Sequence, residues 1–191
     1  MKNLILTLAF ISSAFCSNAQ IELKIRPLGL LFGNYGAIVE YKLSERKSID
    51  FEASILSSGV RFSNVSVSTR GFSTNATYRS YFASSKKRSG GFWGPYANFT
   101  KSELKGTVPN VSNTNTTDEV YSKSTTLGAG ALIGYKWGFN NNVTTELLFG
   151  LGFNVLNNYQ DLLNNRPKTS ISNLSNMARF AIGYSFGNDK K

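Results

Sequence analysis

Eleven ionisable residues stand among apolar neighbours in this chain: Glu22, Lys24, Arg26, Glu40, Lys42, Asp50, Glu52, Arg79, Lys136, Glu146 and Arg179. The chemistry open to them is narrow. The 191 residues include no His. That removes Ser-His-Asp and Cys-His nucleophile chemistry and the commonest ligand of zinc and iron. Cys16 is the only cysteine. No catalytic residue, cofactor or metal is therefore expected. What remains is ion pairing. A buried ion without a partner costs several kcal/mol, so these cations and anions should find one another across whatever encloses them.

The elements that must hold them alternate with period two, the repeat of a strand whose side chains point to opposite faces in turn. Ile21, Leu23 and Ile25 alternate with Glu22, Lys24 and Arg26; Tyr35, Ala37, Val39, Tyr41 and Leu43 with Gly36, Ile38, Glu40 and Lys42. Ile49, Phe51, Ala53 and Ile55 form a third list, and Phe72, Thr74, Ala76 and Tyr78 a fourth. Trp93, Pro95, Ala97 and Phe99 make the fifth; residues 127–137 and 143–153 carry the sixth and seventh; Phe180, Ile182, Tyr184 and Phe186 close the series. That is eight strands, most of about nine to eleven residues, the length a tilted strand needs to cross hydrocarbon.

Short connections (residues 44–48, 83–91 and 138–142) alternate with long polar ones (56–71, 101–125 and 154–176), after a brief first link at residues 29–34. An even strand number with short turns on one rim and longer loops on the other marks an outer-membrane barrel. The expected fold is all-β: an eight-stranded antiparallel up-and-down transmembrane β-barrel, residues 20–191, in one domain. Residues 1–19 read as a cleaved signal peptide, with Lys2, an apolar run too short to span a bilayer, and Ser17-Asn18-Ala19 as the cleavage site. Phe15 precedes Cys16 where a lipoprotein would need a small residue.

A soluble eight-stranded barrel of the lipocalin kind would show the same period with the faces reversed. Three features favour the membrane version. Gly128, Gly130, Gly134, Gly150, Gly152 and Gly183 crowd the polar face, which suits a narrow interior. Aromatic residues stand on the apolar face at strand ends: Tyr41, Phe82, Trp93, Trp137, Tyr184 and Phe186 at one rim, and Tyr35, Phe72, Phe99, Phe153 and Phe180 at the other. No charge occurs on the apolar face, where Arg or Lys at mid-bilayer would cost roughly 2–4 kcal/mol. The eleven ions then point inward. All but Arg179 should lie in the half nearer the short turns, as a salt-bridged plug, and an eight-stranded interior holds little beyond its own side chains. Pro27 and Pro95 predict a bulge or a strand end, since a closed ring has no free edge.

The net charge of +10 is concentrated on the short-turn rim and tail, in Lys86-Lys87-Arg88 and Lys190-Lys191. Outer-membrane lipids and lipopolysaccharide are the expected surroundings, and nucleic acid is not an expected partner because the basic residues are not interleaved with exposed aromatics.

Residues 26–36 (Arg-Pro-Leu-Gly-Leu-Leu-Phe-Gly-Asn-Tyr-Gly), 78–82 (Tyr-Arg-Ser-Tyr-Phe), 94–96 (Gly-Pro-Tyr) and the Ala19-Gln20 junction resemble an uncharacterised family of small barrels common in Bacteroidota. The architecture is similar to OmpX and the OmpA membrane domain. The resemblance implies an outer-membrane location with both termini periplasmic and no assigned activity. The segment from Arg179 to Phe186 resembles the aromatic signal read by the outer-membrane insertion machinery, although residues 187–191 follow it. The function expected is non-enzymatic: a structural or surface-interaction protein whose Ser/Thr/Asn-rich segments, residues 60–70 and 106–124, meet an extracellular protein or glycan. The alternative is a carrier of small hydrophobic molecules across the outer membrane through a lateral opening in the wall, for which Leu28, Ile38, Leu132 and Leu148 would have to line an apolar upper lumen. Lipid-modifying barrel enzymes resemble one another in using a His, which this chain lacks.

Overall fold

The computed structural model describes residues 21–62, 65–82, 89–109, 117–139, 142–161, 166–169 and 174–186. The signal segment, the basic run at 86–88 and the terminal lysines lie outside them. The alternating stretches form β1 (Ile21–Ile25), β2 (Asn34–Ser44), β3 (Lys47–Phe62), β4 (Val65–Tyr81) and β5 (Gly90–Pro109). They continue as β6 (Thr117–Gly138), β7 (Val143–Asp161), β8 (Arg166–Thr169) and β9 (Leu174–Phe186). One short helix, α1 (Pro27–Leu31), joins β1 to β2.

Every neighbouring pair is antiparallel, and the sheet closes because β6 pairs with β7 while β9 pairs with both β7 and β1. The ring therefore holds eight strands. The four-residue β8 adds a ninth that pairs with the far end of β7. Closure leaves few edge groups unpaired, which is the condition for a sheet to sit in hydrocarbon.

The faces fall as period two requires. Phe51, Ile133, Phe149 and Leu151 are exposed on the outer wall, while Glu22, Lys24, Asp50, Arg79, Lys136 and Glu146 are buried inside. Exposed Trp93, Trp137, Tyr184 and Phe186 stand at the short-turn rim, and Tyr35, Phe72 and Phe153 at the other. Within these belts Tyr135 packs on Trp137 with ring centres 4.8 Å apart, and Phe72 on Phe99 at 5.6 Å.

Two sequence expectations need correction, and a third holds. The segments read as long polar loops are mostly strand: β3 runs on to Phe62, β4 begins at Val65, and the β5–β6 ladder continues to Pro109↔Thr117. Beyond the hydrocarbon neither face must be apolar, so the period-two signal fades there. The ladder persists because Thr and Val suit a strand and the backbone groups still pair. The expectation that holds is the strand end at Pro27, and the first connection is helical. Pro27 ends β1 and opens α1, a position where its missing N–H costs nothing. Gly33, at φ 70°, then turns the chain into β2, and its carbonyl accepts the Ser57 N–H at 2.7 Å. Pro95 makes neither a bulge nor a strand end. The β4–β5 ladder skips Tyr78 and Arg79 and resumes at Ser80↔Trp93 in the register it left at Thr77↔Tyr96. Gly94 permits this, because a Cβ there would lie 1.8 Å from the Tyr78 carbonyl oxygen.

Candidate functional site: the ion-paired lumen

The register stacks the inward charges at neighbouring heights. Glu22 is opposite Glu40, Glu40 opposite Asp50, and Lys136 opposite Glu146. Two facing carboxylates repel, so each pair needs cations from across the barrel. Lys136 Nζ donates to Glu22 at 2.6 Å and to Glu40 at 2.9 Å. Lys24 Nζ meets Glu40 at 2.5 Å and bonds Glu146. Thr144 and Tyr81 hydroxyls complete this level, on Glu22 and on Glu40 (3.0 Å) respectively.

Arg79 is the centre of the set. Its Nη1 donates to Glu146 at 2.8 Å and Glu40 at 3.2 Å, its Nη2 bonds Asp50, and its guanidinium lies 4.6 Å from the centre of the Phe92 ring. Arg179 forms the next tier: Nε donates to Glu146 at 3.1 Å, Nη1 to Glu52 at 3.1 Å, and Nη2 bonds Asp50. Arg26 closes the series on Glu52 at 2.5 Å, and Asn75 also donates to Glu52 at 3.1 Å. Ten of the eleven residues singled out thus form one continuous cluster of Lys24, Arg26, Arg79, Lys136 and Arg179 with Glu22, Glu40, Asp50, Glu52 and Glu146. The eleventh, Lys42, is half-buried near the β2–β3 turn, opposite Ser48. The expectation that Arg179 sits apart is a correction: the barrel's shear brings its side chain down onto Asp50 and Glu146.

The equal count of cations and anions makes the cluster neutral when all are ionised. Its bonds tie β1, β2, β3, β4, β6, β7 and β9 together through the lumen, and β5 contributes Phe92 beneath Arg79. Chemically the arrangement holds strands in register and fills the bore with bonded side chains.

Alternation puts Tyr96, Leu132 and Leu148 on the inner face but stops short of Phe92 and Tyr81 beside them. Phe92, Tyr96, Leu132 and Leu148 form a buried cluster flanked by Tyr81 and Met177. Phe92 and Tyr81 continue the parity of Gly94 and Arg79, so counting two residues further along each strand would have found them. The glycines of β6 and β7 accommodate these rings: a Cβ on Gly134 would lie 2.5 Å from Phe92, and one on Gly150 2.9 Å from Tyr96. Above the rings the lumen is polar. Tyr96 donates to the Ser175 carbonyl at 3.1 Å, Ser54 and Ser73 hydroxyls are 2.7 Å apart, and Ser175 donates to Asn98 at 3.3 Å.

The family model for "Protein of unknown function (DUF3575)" matches residues 4–182. The chain belongs to the DUF3575 family. Its fold is that of outer-membrane β-barrel proteins. Acinetobacter baumannii CarO aligns with a TM-score of 0.50 at 9% identity, over 88% of this chain and 96% of that one. A major outer membrane protein from Thermus thermophilus aligns at 0.49 and 9%, over 88% and 98%. Neisserial surface protein A aligns at 0.38 and 13%, over 88% and 96%. No curated protein sequence matches the chain. As a DUF3575 member it inherits no activity from its family's description.

Proposed function

We propose that this DUF3575 protein is a non-enzymatic outer-membrane barrel that acts by displaying its strand extensions to an extracellular protein or glycan. One observation carries the reading. The β5–β6 ladder runs past the Phe72–Phe99 belt with Ser, Thr and Lys on it, and there a groove of about 500 Å³ is lined by Ser66, Ser68, Lys105, Thr107 and Tyr121. Lys105 and Lys123 lie 4.8 and 5.6 Å from the Tyr121 ring centre, a pairing of cations, hydroxyls and one aromatic suited to acidic or hydroxylated ligands.

The tight turn between β2 and β3, on the side of β1's start and β9's end, supports periplasmic termini, since such barrels keep their short turns there. Lipopolysaccharide and phospholipid around the exposed wall, and recognition of β9 by the insertion machinery, belong to the same reading, as does an origin in Bacteroidota. A non-enzymatic role is supported by carboxylates that are each held by a cation. The hydrophobic carrier finds no comparable support: Ile38, Leu132 and Leu148 are buried, the last two against Phe92 and Tyr96, Leu28 is exposed on α1, and the upper lumen is polar.

The test is a glycan array probed with folded protein in nanodiscs, beside a variant whose residues 104–122 are replaced by a two-residue turn. Binding lost in the variant, with its heat-dependent gel shift kept, is the expected result. Binding equal in both, or absent from the intact protein on glycan and surface-protein arrays alike, overturns the reading.

A further inference from the structure

The ring is not hydrogen-bonded to the same height all round. β9 pairs with β7 from Leu174 to Tyr184, but with β1 only from Ile182 to Phe186, because β1 stops at Ile25. Asn34 and Tyr35 likewise pair with β3 and have no β1 residue opposite. Between these two edges lies α1, packed against both β2 and β9. An open strand edge facing lipid is expensive, so whatever fills this seam is stabilised by it.

The seam contains a cleft of about 370 Å³. Its outer walls are Leu147, Phe149, Ala178 and Phe180 from the lipid-facing side of β7 and β9, facing Leu28 and Phe32 of the α1 connection. Its inner end is Arg26, Arg179 and Asn34. Both ionised residues that line it are therefore cations, and at that level they share one carboxylate, Glu52. Arg179 is buried and bonded to three carboxylates. Arg26 is different: its side chain is 19% exposed and Glu52 is its one acid partner among the described residues. A guanidinium has five N–H donors, so an edge of Arg26 is left to take a second carboxylate in fork geometry. Asn34 also lines the cleft, its Oδ1 buried without a hydrogen-bond partner, and a half-turn of that amide would put an N–H donor in that place.

We propose that this seam binds a long-chain carboxylate taken from the surrounding lipid. The chain lies along Leu147, Phe149 and Phe180, and the carboxylate rests on Arg26. The cleft is at the small end of ligand pockets, which span about 300–1,000 Å³, and so takes one chain rather than the several of a membrane lipid. The site is in the wall and is independent of the strand extensions.

A palmitate carrying a chain diazirine, photolysed with the protein in nanodiscs and mapped by peptide mass spectrometry, tests this. Saturable labelling should concentrate on residues 147–149 and 178–180 and be displaced by palmitate but not by hexadecanol. Ala178→Trp, and separately Leu28→Trp from the opposite wall, should abolish it while each protein keeps its heat-dependent gel shift. Arg26→Gln should weaken palmitate about tenfold. Labelling spread evenly round the wall, or unchanged by either folded Trp variant, overturns the proposal. So does equal displacement by hexadecanol, or displacement by dipalmitoyl phosphatidate and not by palmitate.

Discussion

Arg79 stands at the centre of the ion cluster. It is fully buried, meets Asp50, Glu40 and Glu146, and covers the Phe92 ring. Replacing it with Met keeps the bulk but leaves carboxylates facing one another without their cation. That should cost about 3–5 kcal/mol, because an uncompensated buried charge is far more expensive than a lost surface contact. Urea unfolding from lipid vesicles would read it as a lower midpoint. The exposed Lys123–Glu103 pair, at 3.2 Å on the extension, gives the contrast: Lys123→Ala should leave the midpoint unmoved. An Arg79→Met midpoint equal to that of the unmodified protein would show the cluster to be dispensable. Alternation alone placed Arg79, Glu146 and their partners on the inner face, because a charge on the lipid side is forbidden. It put Arg179 on that face too but at the wrong height, because its contacts depend on the stagger between strands, and that quantity exists only once the ring closes.

The glycines of β6 and β7 show how elements shape the interior. The nearest atoms to a Cβ on Gly150 would belong to side chains, Tyr96 at 2.9 Å and Leu132 at 3.2 Å. In a strand, Gly→Ala ordinarily gains stability by restricting the unfolded chain. Here the Tyr96 ring and Leu132 occupy the space, so Gly150→Ala should instead lose about 1–3 kcal/mol. Tyr96→Leu in the same protein should recover part of that loss, and two penalties that simply add would show the ring is not what fills the gap. The sequence reading took these glycines as a sign of crowding without knowing what crowds them. It was blind in another way where β3 to β7 rise past the aromatic belt, because apolar alternation reports contact with lipid, not strand pairing. The turn of helix at Pro27 was legible only as the end of a strand. Five residues are too few for a helical period to show.

The molecule as a whole is an inverted globule, with its ions in the middle and its apolar residues outside, the arrangement a membrane-spanning barrel requires. Phe92, Tyr96, Leu132 and Leu148 are a small core, and most large apolar side chains face outward. Such an arrangement is stable only where lipid replaces water around the wall. A lysine at Ile133, exposed on β6 about halfway between Leu127 and Trp137, separates the two cases. In a water-facing wall Ile133→Lys would change stability by no more than about 0.5 kcal/mol, as surface substitutions do. In a lipid-facing wall it should cost roughly 2–4 kcal/mol at the midplane. The same change at Phe186, on the rim, should cost little, since there a lysine reaches the headgroups. Unfolding midpoints measured in vesicles should therefore fall steeply for Ile133→Lys and scarcely for Phe186→Lys. Equal effects at the two depths would mean that no hydrocarbon slab surrounds this barrel, and the ion cluster would then need another reason to be inside.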